Sequence, residues 1–179
     1  MTTGDAQWAD RIEKGIFNGG LGSITKDFRS MQYFSCPNQF IATGNSNHNG
    51  FKYGLTWMAY RPIHETECCI GNLHRYMPNY VARMWLKDKK GHPVAALYGP
   101  SSVVYDLGEG VTVKIEEKTE YPFEEQIKFK FTFYKDGKKS KDAHEMDFTY
   151  RIPGWCKAAK TGFRTETRKW KSGDVFTVR

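Results

Sequence analysis

This chain has no apolar run as long as a membrane helix requires, so no helical span is expected. It contains no C-x-x-C motif, and its four cysteines (Cys36, Cys68, Cys69 and Cys156) lack the dense spacing of a secreted disulfide scaffold. The redox compartment therefore stays open. The first residues, Met1 to Asp5, show neither the basic nor the apolar segment of a secretory leader. Blocks of like charge are also missing. The formal net charge of +7 is spread as +4 over residues 1–95 and +3 over 96–179. Lys138, Lys139 and Lys141 do cluster, but beside Asp136-Gly137, where they read as a solvated hairpin turn. Nucleic acid is not an expected partner.

What is present describes a globular chain of 179 residues, 39% hydrophobic and 26% charged, long enough to bury a sizeable core. Its periodicity changes near residue 92. Trp8, Ile12 and Ile16 recur every four residues, predicting an amphipathic helix from Asp5 to about Asn18 that Gly19-Gly20 stops. A long irregular stretch follows, rich in Asn and Gly around residues 44–50, with a short extended piece at Met31 to Phe34. Leu73, Met77, Tyr80, Val81, Met84 and Trp85 share one helical face, predicting a second helix over 72–87 that bends at Pro78. After Gly91-His92-Pro93 the period becomes two. Ile127, Phe129, Phe131 and Phe133 alternate with polar residues, as do Val111, Val113 and Ile115, and then Met146, Phe148, Tyr150 and Ile152. Residues 94–179 are expected to form an antiparallel β-sandwich.

Two helices cannot enclose a core. The apolar faces around Trp8, Ile12, Tyr80 and Trp85 are expected to be partly open, or covered by a partner chain or further helices. The expected division is 1–92, the tail of a larger helical domain, and 93–179, a sandwich that is itself unfinished. The chain reads as a fragment.

The chemistry concentrates in His64-Glu65-Thr66-Glu67-Cys68-Cys69-Ile70-Gly71-Asn72. Adjacent cysteines pair poorly with each other, because the eight-membered ring strains the disulfide. Shared metal ligation or one activated thiolate are the functional readings, and a helix start favours a thiolate. Two small buried hydrophobes are the plain alternative. The polar neighbours His64, Glu65 and Glu67 argue against a core strand.

The run Glu67-Cys68-Cys69-x-x-Asn72-x-x-Arg75, followed by Leu97-Tyr98-Gly99-Pro100-Ser101, resembles glycoside hydrolase family 127, the β-L-arabinofuranosidase-like enzymes. Thr3 to Asp10 with Glu13 and Asn18, Thr119 to Phe123, Arg151 to Cys156 and Trp170 to Asp174 resemble further segments of that family, in the same order. The resemblance implies an α+β architecture: terminal helices of an (α/α)6 barrel followed by an antiparallel β-sandwich. It also implies retaining hydrolysis of a plant-type oligo- or polysaccharide. In that reading Cys68 is the nucleophile, Cys68 and Cys69 ligate Zn2+, and Tyr33 lines the sugar pocket.

The chain also departs from the family pattern. The family's Glu-x-Cys zinc ligands and its acid–base glutamate belong upstream of the matched helix, and Cys36 follows Phe34-Ser35 instead. This chain alone is therefore not expected to turn over substrate. Two other functions stay open: a non-catalytic carbohydrate-binding or interaction module built on the sandwich, and a small zinc-binding structural protein using Cys68, Cys69, His64 and Cys36. Cys156 reads as a buried structural thiol, and Glu67 as a residue orienting a ligand.

Overall fold

The computed structural model describes residues 4–35, 59–62, 68–157 and 160–179. The alternating half of the chain folds into nine strands: β1 (Trp85–Lys87), β2 (Pro93–Ala95), β3 (Ser101–Gly108), β4 (Val111–Thr119), β5 (Ile127–Lys135), β6 (Lys138–Lys139), β7 (His144–Ile152), β8 (Gly162–Trp170) and β9 (Val175–Val178). One sheet has the order β1-β2-β7-β8. The other runs β3-β4-β5-β6, with β9 also paired to β5. Every second residue of β5 is buried, as its sequence demanded, and Phe129 and Phe131 meet Phe148 of β7 edge-on at 5.0 and 5.2 Å. Phe131 also lies 4.3 Å from the Trp170 ring of β8. The two layers thus share one aromatic core.

Two expectations need correction here. The pairing is not antiparallel throughout, because β2 lies parallel to β7, with Val94 opposite Thr149 and Ala95 opposite Tyr150. Trp85 is not helical either. It starts β1, opposite Ala95, where its indole reaches the core at Phe129 and donates to Ser101 Oγ at 3.0 Å. A large aromatic gains more from burial between sheets than from continuing a helix beyond a proline.

The segments singled out in the sequence knit this body together. Arg151 is fully buried, yet it donates to the Ala96 carbonyl and to the Asp10 carboxylate, and its guanidinium lies over the Tyr98 ring. Tyr98 donates its hydroxyl proton to the Arg151 carbonyl and accepts the Arg151 N–H at 2.9 Å. Gly99 N–H and Ser101 Oγ both donate to the buried Glu117 carboxylate. The Asp10 carboxylate also accepts the Gly154 N–H at 3.0 Å, and a Cβ at Gly154 would stand 2.5 Å from it. Only glycine fits there. Buried charge is tolerated because each group is paired.

The chain divides into two compact bodies: the stretch through Asp10 with Ala82–Arg179, which is the sandwich, and Arg11–Val81. Helix α1 (Gln7–Lys14) runs into a π-helical turn, Gly15–Gly20, and helix α2 spans Cys68–Val81. Pro78 sits inside α2, which ends at Val81 instead of reaching residue 87. Within the helical body Tyr80 is buried, not open as expected. Phe17 packs edge-on to its ring at 5.7 Å, and its hydroxyl donates to Glu13 at 3.4 Å. Trp8, Ile12 and Trp85 are partly exposed. Among the described residues no helix is long and apolar enough to cross a membrane.

Candidate functional site

Cys68 and Cys69 are the first two residues of α2. The helix therefore starts at the cysteine pair, several residues before the predicted boundary, and Asn72 secures that start by donating to the Cys68 carbonyl at 2.8 Å. Cys68 is exposed and Cys69 half-buried, so the pair is not a core packing element. Their sulfurs stand 3.9 Å apart, far beyond a disulfide bond and close to the separation of two thiolates on one tetrahedral metal, about 3.8 Å for zinc–sulfur bonds of about 2.3 Å.

Tyr33 reaches the same point from a distant part of the sequence. Met31 forms bridges with both Ile24 and Arg61, exchanging two 3.0 Å hydrogen bonds with Arg61, and Gln32 N–H donates to the Ser23 carbonyl. These bonds anchor the chain one residue before Tyr33, whose hydroxyl lies 3.9 Å from Cys68 Sγ. The extended piece at residues 31–34 is thus a pair of bridges and a bend. Contact with Cys68 raises the Tyr33 pKa, with partial burial adding to it. Burial first, then the Cys68 neighbour, raises the Cys69 thiol. Cys68 thus disfavours charge on both of its neighbours, as one acidic group does to another beside it.

The other residues named from the sequence fare differently. Cys36, His64, Glu65 and Glu67 lie outside the described residues. Cys156 is half-buried, not buried, and belongs to the sandwich body beside a surface cleft. Arg75 lies on α2, two turns beyond the cysteine pair.

A second cluster has no signature in the local sequence. Asp88, His92 and Asp147 bring one potential ligand atom each within 4.8 Å of one another. Asp88 takes the N–H groups of Lys90 and His92, closing the turn between β1 and β2. Lys90 Nζ lies 2.8 Å from Asp147, Thr167 donates to the same carboxylate, and His92 Nδ1 accepts the Asp147 N–H. Lys90 and then Thr167 hold the Asp147 carboxyl down at about 2. The ammonium already supplies the positive charge that a cation would bring, and the imidazole lone pair is engaged. The sequence marked only a change of period after Gly91-His92-Pro93, and Asp147 is 55 residues beyond His92, so no local spacing links them.

Comparison with known proteins gives a consistent picture. Residues 1–82 match the family model of the β-L-arabinofuranosidase GH127 catalytic domain, and residues 94–164 match that of the GH127 middle domain. A non-reducing end β-L-arabinofuranosidase of Bifidobacterium longum subsp. longum is 22% identical over 158 residues, 87% of this chain and 22% of that protein. Among solved structures, a GH127 β-L-arabinofuranosidase from Geobacillus stearothermophilus T6 superposes with a TM-score of 0.71 at 21% identity, covering 97% of this chain and 28% of that one. A second GH127 β-arabinofuranosidase gives 0.68 at 20% identity, covering 97% and 28%. This chain thus spans about a quarter of the length of the proteins it resembles.

Proposed function

Since the chain belongs to glycoside hydrolase family 127, we propose that it contributes the nucleophile end of an active site that hydrolyses β-L-arabinofuranosyl linkages in plant-type glycans. The observation that carries this reading is the meeting of Cys68, Cys69 and Tyr33 at the exposed start of α2. In this proposal Cys68 is the nucleophile, being the more exposed sulfur at the helix start. Its sulfur forms a bond to the anomeric carbon as the glycosidic carbon–oxygen bond breaks, and the departing oxygen takes a proton from an acid. Water then cleaves the carbon–sulfur bond, so that two inversions give net retention. Cys69 is the supporting ligand, and Tyr33 lines the sugar pocket with its ring while its hydroxyl faces the reacting sulfur.

The two sulfurs fit one zinc ion by their separation, and Cys68 and Cys69 are the residues that would hold it. Bound there, zinc keeps thiols deprotonated at neutral pH. Two sulfurs supply half of a tetrahedral set, and among the described residues no third His, Cys, Asp or Glu joins them. The chain on its own is therefore proposed to be inactive, with the acid and remaining ligands supplied by other parts of the active site.

The test is covalent labelling. In a polypeptide carrying this segment and hydrolysing arabinofuranosides, a cysteine-reactive arabinofuranose-configured inhibitor is expected to add its mass to the peptide containing Cys68. An adduct on a carboxylate would show that thiolate attack is the wrong mechanism.

A further inference from the structure

The sandwich carries a shallow cleft, open to solvent, whose wall is aromatic. Trp155 is 56% exposed and lies nearly parallel to Tyr121, with ring centroids 6.1 Å apart and planes 23° from parallel. Tyr98 in turn backs Tyr121 edge-on at 5.5 Å. Ile127 and Ile152 supply apolar lining, and Glu125 and Arg179 supply the charged groups.

Both ring-bearing turns are held by hydrogen bonds to their backbone. Cys156 N–H donates to the Pro153 carbonyl, and Gly154 N–H to Asp10. Thr119 Oγ accepts from Tyr121 N–H and donates to the Gln126 carbonyl, while Phe123 N–H donates to Glu120. Phe123, on the second turn, is 90% exposed. The plate is therefore built before any ligand arrives, and binding to it costs little ordering.

We propose that Trp155, stacked on Tyr121, is a binding platform for a neutral arabinofuranosyl ring, distinct in its residues from the cysteine site. The choice of sugar rests on the family reading above; the existence of the platform does not. The face of an indole is electron-rich, and a sugar ring offers it a flat array of outward C–H bonds. Glu125 accepts hydroxyl protons and Arg179 donates to hydroxyl oxygens. A polyhydroxyl ligand satisfies both charged groups at once, and an apolar side chain satisfies neither. The enclosed space is small, so the cleft offers one flat ring a face to rest on and does not engulf a ligand. A stable protein interface, at about 800 Å2 per partner, would need far more surface than this.

The experiment uses the 179-residue chain, labelled with 15N and titrated with an arabinofuranosyl disaccharide, with sorbitol as the control. Each of the five tryptophans gives one indole N–H signal. The Trp155 signal, identified by its loss in Trp155→Ala, is expected to move saturably with the disaccharide and not with sorbitol. Affinity measured by calorimetry should fall about tenfold in Trp155→Ala and stay within about threefold in Trp155→Tyr. Should Trp155→Ala not fold, Glu125→Ala gives the second reading and is expected to weaken binding about threefold. The Cys68→Ser/Cys69→Ser double variant should titrate like the parent chain, so failure of the cysteine mechanism leaves this result standing. A Trp155 signal that ignores the disaccharide overturns the proposal. So does a signal that follows sorbitol equally, or one that moves only with protein concentration, which would mark a polypeptide contact.

Discussion

Asp147 illustrates how one carboxylate ties distant segments together. It takes Lys90 Nζ from the turn after β1 and Thr167 Oγ from β8, and lies beside His92. Its pKa is lowered from an ordinary 3.8 to about 2. A carboxylate depressed in the folded state contributes stability above its unfolded pKa and loses it as pH falls through the folded one. The melting temperature should therefore drop between about pH 4 and pH 2, and Asp147→Asn should flatten that part of the profile. Thermal melts across that range decide it. Asp10 makes a stronger case, because its partner Arg151 is wholly buried. Asp10→Ala should cost about 3 kcal/mol in urea unfolding, mostly from leaving a guanidinium buried without its anion. Neither pairing was legible, because Asp10 and Arg151 are 141 residues apart and each looks like an ordinary surface charge. The cysteine pair was legible, because its unusual adjacency is local.

At the scale of elements, strands were read more accurately than helices. The period-two pattern of β4, β5 and β7 is written in consecutive residues and survives any tertiary context that buries one face. The Asp136-Gly137 turn appears as read: Lys135 pairs with Lys138, and both turn residues have positive φ, 48° and 78°. Gly137→Ala should accordingly cost about 1 kcal/mol, measured by the urea midpoint, through the left-handed backbone alone. Phe148→Ala should cost about 4 kcal/mol, since its ring contacts Phe129, Phe131, Trp170 and Phe176 across the layers. The second helix was placed too late because its apolar face extends into Trp85, which belongs to β1. Helical periodicity cannot distinguish a residue that continues the helix from one that turns into a neighbouring sheet.

For the molecule as a whole, the slowest amide exchange should fall in β4, β5 and β7, whose inward residues are wholly or almost wholly buried, and faster exchange in the exposed start of α2. Protection highest at Cys68 and Cys69 would contradict the placement of the site on an accessible helix end. The sequence alone determined the class of architecture, the strands of the sandwich and the local motifs, because periodicity, turn chemistry and adjacent cysteines are properties of neighbouring residues. It also carried the family, through short segments in collinear order. Only the tertiary structure decided that β2 joins β7 in parallel, that Tyr33 stands over Cys68, and that Tyr121 backs Trp155. Those are contacts between residues dozens of positions apart. They are set by which faces bury together and where each buried polar group finds its partner, and no local pattern encodes that.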